Sequence, residues 1–457
     1  ELYARMMEVY AGALSHMDHQ IARIIEAIEE TGELDNTLII YLMGDNGASA
    51  EGSPDGLLNE MTFFNNIPVS FEDTYARMDE LGGPNTFGHY PAGWAHAMDT
   101  PFQWTKQVAS HFGGTRNGLA ISWPAQIDAR GEVRSQFHHV IDIMPTILEA
   151  VGVPAPASIN GVGQSPIEGV SMVYSFDNAN APSARRTQYF EMFANRAIYN
   201  DGWVAATTPP EAPWVSVVQA SDPINDWNWE LYNIEEDFSQ SNDLAAQYPD
   251  KLHELQLLFY GEARKYDVLP IDNTKVERMD VKQRPSLTEG RKTFTYYDGM
   301  IRIPEGTAPD FKNKSYTITA DVEVDGSGSD GMLVTQGGRF GGWALYILDR
   351  RPVFTYNLAN LEHYVIQGDR LPDGAHTIRY EFEYDGGAGF GNGGTGRLFV
   401  DGAQVGEGRI DRTMGIRISL DETFDVGADA GEPVTEEYRV PFEFEGTLDK
   451  VVVELGD

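Results

Sequence analysis

The sequence predicts an α/β domain followed by an antiparallel, jelly-roll-like β-sandwich, and three patterns support this. Between Tyr3 and Ile28, apolar residues recur every three or four positions, which is typical of one face of a long helix. The run Thr37–Met43 is continuously apolar, as in a parallel strand buried on both faces. After residue 293, segments alternate apolar and polar residues, as antiparallel strands do. We therefore expect a largely parallel central sheet in the first domain.

The elements of the first domain follow in order along the chain. The long helix is expected to pack its apolar face on the sheet, and a short turn leads from it into the apolar strand. A second strand is predicted at Leu119–Trp123. Ile141–Val151 predicts a short helix closed by Gly152, and Lys251–Tyr266 predicts an amphipathic helix.

The second domain is recognised by alternation and by turn signals. Tyr316–Val324 and Ile378–Tyr384 alternate strictly, and Asp401-Gly402 is a hairpin signal between two apolar runs. The glycine-rich stretch Gly386–Gly396 is predicted to be a flexible loop. It is not expected to bind phosphate, because a strand pattern follows it where a phosphate loop would open a helix.

The change of pattern sets the predicted domain boundaries. Residues 1–272 form the α/β domain, residues 273–292 a linker and residues 293–457 the sandwich. At 457 residues the chain has room for these domains, each with its own core.

Composition excludes several classes of function. The chain has 70 acidic and 33 basic side chains, and its formal net charge of -37 would repel nucleic acid. No uninterrupted apolar run is long enough to span a membrane. The chain has no cysteine, which rules out disulfides, thiolate metal sites and a cysteine nucleophile.

Asp45 and Asn46 are the candidate metal ligands, because they directly follow the apolar strand. Ligands of open α/β sheets gather at the carboxyl ends of strands. The flanking Gly44 and Gly47 let the backbone turn sharply enough to aim both side chains at one ion. Carboxylate and amide oxygens favour calcium, with magnesium possible, and either ion needs about six or more ligands, so others must come from elsewhere.

Lys106 is the second candidate, since it is the only lysine in the first 250 residues. An ammonium group can hold an anionic oxygen or steady a leaving group, and the nearby Gly113-Gly114 pair permits close backbone approach. His111 could reach the same place as a proton donor. The alternatives are a solvated surface lysine and a structural histidine.

Four motifs occur in a recognisable order: LDNTLIIYLMGDNGASAEG, GWAHAMDTPFQWTKQVASHFGGTRNG, HHVIDIMPTILEAVGVPAP and WELYNIEEDFSQSNDLAAQYPDKLHEL. With them the chain resembles bacterial arylsulfatases of the alkaline-phosphatase-like superfamily, from residue 1 to about 272. The later β region resembles the accessory portion at the end of some members. The resemblance implies an alkaline-phosphatase-like fold, a periplasmic or extracellular location, and hydrolysis of sulfate esters, either small molecules or sulfated glycans.

By that resemblance Asp45 and Asn46 match two calcium ligands, and Lys106 matches the lysine that contacts the sulfate group. His111, a catalytic candidate, and Arg116, a substrate-binding candidate, stand close to the same motif. The family's nucleophile is a formylglycine made within a Cys-x-Pro-x-Arg motif, which this sequence lacks. We therefore expect a carboxy-terminal portion that is inactive without the amino-terminal half of the catalytic domain.

Two other functions are compatible with the sequence. Phosphodiesterases and phosphonate monoester hydrolases of the same superfamily share the Asp-Asn pair. A noncatalytic scaffold could instead bind a glycan through the sandwich. Tyr346, Phe354 and Tyr356 could form a stacking surface for such a glycan, although core packing is the expectation for these rings.

Overall fold

The structure, a computed structural model, describes residues 1–215, 221–279, 286–325 and 329–456. The α-helices are α1 (Leu2–Glu30), α2 (Met61–Phe64), α3 (Phe71–Ala76), α4 (Ala92–Asp99), α5 (Phe112–Thr115), α6 (Ile143–Ala150) and α7 (Pro249–Lys265). The strands before residue 240 are β1 (Ile39–Leu42), β2 (Leu119–Ser122), β3 (Ser158–Ile159), β4 (Val162–Gly163), β5 (Thr187–Met192), β6 (Asn195–Asn200), β7 (Trp203–Thr207) and β8 (Trp229–Asn233).

Strands dominate the remainder of the chain. They are β9 (Thr293–Tyr296), β10 (Tyr316–Val324), β11 (Gly331–Gly338), β12 (Gly341–Leu348), β13 (Arg351–Leu358), β14 (Glu362–Gln367), β15 (Gly374–Tyr384), β16 (Asn392–Val400), β17 (Ala403–Arg412), β18 (Phe424–Val426), β19 (Ala428–Asp429), β20 (Phe442–Glu443) and β21 (Thr447–Leu455). The chain thus combines helices and antiparallel sheets with a sheet-rich C-terminal region. None of the described helices has both the length and the apolar character that a membrane crossing requires.

The chain divides into two compact units. The β-rich unit comprises Glu1–Val9, Glu51–Pro91 and Thr274–Asp457, and the mixed unit comprises Tyr10–Ala50 and Ala92–Asn273. The domain boundaries expected at 272 and 293 stay a prediction.

Two antiparallel sheets share one core in the β-rich unit. The larger has the order β17-β16-β15-β10-β21-β9, and the smaller has the order β14-β13-β12-β11-β18. The ring of Phe354 stacks on that of Tyr380, with centroids 3.5 Å apart and both side chains buried. The two rings come from different sheets, so this stack joins the sheets directly.

The aromatic residues singled out in this region lie in the interior. Tyr346 and Phe354 are 0% exposed and Tyr356 is 4% exposed. The hydroxyl of Tyr356 accepts a hydrogen bond from the Met414 N–H at 2.6 Å, so its polar end is satisfied inside the core. The expectation of core packing is confirmed, and these three rings are not a stacking surface.

The prediction of a flexible loop over Gly386–Gly396 is wrong for its second half, because β16 begins at Asn392. A Cβ atom on Gly394 would collide with the Phe382 ring, and one on Gly396 would come within 2.5 Å of the Tyr380 hydroxyl. The glycines therefore make room for aromatic rings within a sheet, which a reading of flexibility overlooks.

The three helices predicted in the first domain are confirmed. α1 is followed by Gly32 at φ +75°, and α6 by Gly152 at φ +67°, conformations that glycine adopts without strain. α7 buries Leu255, Phe259 and Ala263 in a core that it shares with the sheet β5-β6-β7-β8.

The surroundings of α1 and β1 differ from the expectation. In α1 the apolar positions Leu14, Met17 and Ile24 are 46%, 46% and 63% exposed. All four residues of β1 are half-buried, and its Ile39–Leu42 ladder with β2 is antiparallel. Every pair of adjacent strands in the described residues is antiparallel, and the largely parallel sheet stays a prediction. An apolar run indicates a strand but not the direction of its neighbours.

Candidate functional site

The loop after β1 carries the two candidate metal ligands. Gly44, at φ +102°, turns the chain sharply, and the exposed Asp45 and half-buried Asn46 follow it. The Asn46 side-chain nitrogen donates to the Gly47 carbonyl at 2.8 Å, which leaves Oδ1 as the atom that this amide can present to a cation. The Asn117 amide, in the orientation that satisfies both groups, bonds to the Asn46 carbonyl at 2.7 Å and to its N–H at 3.2 Å. These bonds fix the backbone of Asn46.

The segment that carries Lys106 docks on the same loop through its main chain. The N–H of Lys106 donates to the Ala48 carbonyl at 3.0 Å, and the N–H of Gly47 donates to the Gly114 carbonyl at 3.0 Å. A Cβ atom on Gly47 would collide with the Gly113 carbonyl oxygen, so only glycine permits this approach. The structure thus brings the backbones of the Asp45-Asn46 loop and the Lys106 segment together.

Asp99, the last residue of α4, joins this arrangement and was not predicted. Its Oδ1 accepts the Ala48 N–H at 2.9 Å. Its Oδ2 is buried and has no hydrogen-bond partner within the described part of the chain. Burial raises the pKa of Asp99 to about 6. No sequence signal separates this aspartate from an ordinary residue at a helix end.

His111 is held inside the mixed unit by both ring nitrogens. Nδ1 lies 2.9 Å from the Ser110 hydroxyl, and Nε2 lies 3.0 Å from Oε2 of Glu230. Glu230 also accepts hydrogen bonds from the hydroxyls of Thr208 at 2.6 Å and Tyr232 at 2.8 Å. Burial alone would raise the pKa of Glu230, but the three hydrogen bonds outweigh it and lower the pKa to about 2.

Arg116 lies against a cluster of phenyl rings. Its guanidinium carbon is 5.2 Å from the ring centroid of Phe102, 5.4 Å from that of Phe112 and 5.6 Å from that of Phe238. These distances are typical of cation–π contacts. The structure therefore places Arg116 and His111 in two further environments of the mixed unit, one aromatic and one polar.

Comparison with protein families and curated proteins gives a consistent result. The model of the sulfatase family matches residues 2–153. An uncharacterised sulfatase of Schizosaccharomyces pombe is 32% identical over 258 residues, which are 56% of this chain and 43% of the relative. An arylsulfatase of Klebsiella aerogenes is 28% identical over 190 residues, 41% of this chain and 38% of the relative. The chain spans less than half the length of these relatives.

Solved structures resemble the chain at low similarity. A chain from work on glycosaminoglycan metabolism by Bacteroides thetaiotaomicron is 20% identical, with a TM-score of 0.34, over 54% of this chain and 42% of that one. The CBM40 of a Ruminococcus gnavus IT-sialidase is 13% identical, with a TM-score of 0.27, over 36% of this chain and 89% of that one. Similarity at this level does not bear on function.

The segment 2–153, which the family model matches, contains Asp45, Asn46 and Lys106 together with the loops that dock their backbones. It also contains His111 and Arg116. Through this segment the chain is similar to the sulfatase family.

Proposed function

We propose that the chain forms part of an arylsulfatase-type enzyme that hydrolyses sulfate esters to sulfate and an alcohol or phenol. The observation that carries the proposal is the docking of the Asp45-Asn46 loop on the Lys106 segment through the two main-chain hydrogen bonds to Ala48 and Gly114. This docking combines hard oxygen ligands and one ammonium group in a segment that matches the sulfatase family.

The residues of the loop, together with Asp99 of α4, fit a calcium ion, and magnesium is the second choice. Asp45 offers an exposed carboxylate, Asn46 offers its amide oxygen, and Asp99 keeps a buried carboxylate oxygen that bonds to no described residue. All three are hard oxygen donors, as calcium prefers. A bound cation would offset negative charge on the sulfate oxygens. The remaining ligands would come from outside this loop.

The residues do not fit the formylglycine of the family. The chain contains neither a cysteine nor the Cys-x-Pro-x-Arg motif from which that group is made. We therefore propose that this chain alone does not turn over substrate.

Each remaining candidate has a proposed role. Lys106 holds a sulfate oxygen through its ammonium group. For His111 the contacts with Ser110 and Glu230 favour a positioning role, in which the ring anchors the start of α5, over direct proton donation. Arg116 is the proposed contact for the rest of the substrate, whether a small phenol or a sulfated glycan.

We also propose that an amino-terminal half of the catalytic domain completes the site. Two surfaces support this: the exposed apolar positions Leu14, Met17 and Ile24 of α1, and the half-buried residues of β1. Covering apolar surface with a partner is favourable, because it removes that surface from water.

The proposed domains are 1–272, a linker at 273–292 and a sandwich at 293–457. The family resemblance suggests a periplasmic or extracellular location.

A reconstitution experiment tests the proposal. The purified chain is assayed with 4-nitrophenyl sulfate and calcium, alone and with an added amino-terminal half that carries the Cys-x-Pro-x-Arg motif and its formylglycine. We expect no hydrolysis by the chain alone and calcium-dependent hydrolysis by the mixture. Replacing Lys106→Ala should abolish this activity, while Lys251→Ala, at an exposed ion pair of α7, should leave it unchanged.

Three outcomes would contradict the proposal. Hydrolysis by the chain alone would refute the incomplete site. Faster hydrolysis of bis(4-nitrophenyl) phosphate than of the sulfate ester would favour the phosphodiesterase alternative. Glycan binding without any calcium effect or complementation would favour the noncatalytic scaffold.

A further inference from the structure

Two carboxylates and an imidazole converge in the β-rich unit. Glu51, Glu60 and His89 each offer a ligand atom, and these atoms lie within 4.8 Å of one another. Glu51 is only 7% exposed, and the other two are half-buried. The proposed sulfate site uses none of the three.

The backbone holds the segments of Glu60 and His89 in a fixed register. Leu57 and His89 exchange two main-chain hydrogen bonds, of 2.9 and 3.0 Å, and the Glu60 N–H donates to the Phe87 carbonyl at 2.8 Å. These bonds fix the Cα positions of Glu60 and His89 without any contribution from their side chains. The backbone positions of the two residues are therefore preorganised.

Gly52 allows the turn that contains Glu51 to pack close to His89. A Cβ atom on Gly52 would collide with the Tyr90 carbonyl oxygen and come within 2.6 Å of Nδ1 of His89. Glycine has no Cβ atom, so the turn that contains Gly52 can pack directly against His89. Glu51 thus lies near Glu60 and His89, although it belongs to a third segment of the chain.

A backbone carbonyl holds the ring of His89. Its Nδ1 lies 2.8 Å from the Tyr90 carbonyl oxygen, which can only accept, so Nδ1 carries the proton and donates. In the neutral ring Nε2 then carries the lone pair. A histidine that binds a metal through one ring nitrogen commonly donates the N–H of its other ring nitrogen to a backbone carbonyl. This observation is independent of the two carboxylates.

We propose that Glu51, Glu60 and His89 bind a divalent transition-metal ion, Zn²⁺ in first place. Two neighbouring carboxylates repel each other, and a divalent cation removes that repulsion. The imidazole ligand favours zinc over calcium and magnesium, which prefer oxygen alone. Zinc bonds of about 2.0–2.2 Å place tetrahedral ligand atoms about 3.3–3.6 Å apart, so the three side chains would have to move slightly closer together to bind the ion. Three protein ligands leave one position for water.

Isothermal titration with ZnCl₂ tests the site in the full chain. All proteins carry Asp45→Ala, which removes the proposed calcium site, and are freed of metal with EDTA beforehand. We expect one zinc ion per chain, and an affinity at least tenfold lower in Glu60→Gln and in His89→Gln. Matched controls are Glu72→Gln on α3 and His253→Gln on α7, both exposed, which should bind as the parent does.

A second measurement guards against variants that fail to fold. Co²⁺ added to the metal-free parent should give a visible absorption band that one equivalent of Zn²⁺ removes, and far-ultraviolet circular dichroism checks each variant. The proposal is overturned if the parent binds neither Zn²⁺ nor Co²⁺, or if folded Glu60→Gln and His89→Gln bind as tightly as the controls. A separate calcium titration of the chain with Asp45 intact reports on the sulfate site, so the two proposals can fail independently.

Discussion

Nε2 of His111 lies 3.0 Å from Oε2 of Glu230, and the side chain of His111 is fully buried at this contact. The pair links the start of α5 to β8, which are more than a hundred residues apart. Removing one partner would leave the other with an unmade hydrogen bond in the interior, which costs more than the bond itself contributes.

Replacing Glu230→Gln should lower the free energy of unfolding at pH 7 by about 1–3 kcal/mol, because the neutral amide serves the three donors less well. The pKa of Glu230 in the folded protein, about 2, lies below its ordinary value of 4.5. Its stabilisation is therefore present above pH 4.5 and is lost as the pH falls towards 2. Urea unfolding at pH 7 and at pH 3.5 measures the difference, which should shrink at the lower pH. Glu236→Gln, at an exposed residue, is the control, and equal losses at both pH values would contradict the assignment.

Glu422 shows the opposite behaviour in the β-rich unit. Burial, with Asp421, Asp429 and Glu432 nearby, raises its pKa from 4.5 to about 7. Its ionisation therefore opposes folding increasingly as the pH rises from 4.5 through 7. Glu422→Gln keeps the oxygen that accepts the Glu432 N–H at 3.1 Å and removes the charge.

We expect Glu422→Gln to raise the melting temperature at pH 8 and to change it little at pH 5, with a gain of about 1–2 kcal/mol at pH 8 after allowance for solvent screening. Differential scanning calorimetry at both pH values measures it. Glu443→Gln, at an exposed strand residue, should show no such dependence. A gain at pH 5 as large as that at pH 8 would mean that charge is not the cause.

Two glycine-to-alanine changes should have opposite effects on stability, one through overpacking and one through the entropy of the unfolded chain. Gly47→Ala places a methyl group on the Gly113 carbonyl, and we expect a loss of about 1–3 kcal/mol from the overpacking together with weaker calcium binding. Gly261→Ala in α7 meets no atom within 4 Å and should stabilise the helix by about 0.5–1 kcal/mol. Thermal unfolding of both variants tests the pair, and a stable Gly47→Ala protein with normal calcium affinity would refute the docking of the two loops.

The hydroxyl of Tyr356 should matter for stability, because it is the acceptor for the buried Met414 N–H. Tyr356→Phe leaves that donor unpaired, and we expect a loss of about 1–3 kcal/mol in urea unfolding. Tyr297→Phe, at a residue that is 56% exposed, should cost nothing measurable. Equal stability of the two variants would show that the core supplies another acceptor.

Local patterns carried the sequence predictions that the structure confirms. The apolar period of α1 and the spacing that ends at Gly152 depend only on neighbouring residues, and both helices form. Tyr346 is buried, as expected for an aromatic ring, and so are its neighbours along β12 up to Ile347. Asp45 and Lys106 could be chosen because each stands out in its immediate surroundings.

Long-range contacts could not be predicted in this way. Asp99 becomes notable only when the Ala48 N–H, 51 residues away, binds its carboxylate. Glu51 and His89 meet only because Gly52 lets one turn lie on another. The strand partner of β1 is likewise a property of the folded chain, since an apolar run packs equally well in either direction.

The glycines of β16 leave space that neighbouring aromatic side chains occupy. Phe382 fills the room that Gly394 leaves, and Tyr380 fills that beside Gly396. A side chain at 394 would need a smaller residue at 382 and would still meet the Glu383 carbonyl oxygen at 2.5 Å, and one at 396 would need room from both Tyr380 and Ile366. A redesign of this core must therefore change the side chains around both glycines together, and position 394 must stay glycine unless the backbone at Glu383 moves.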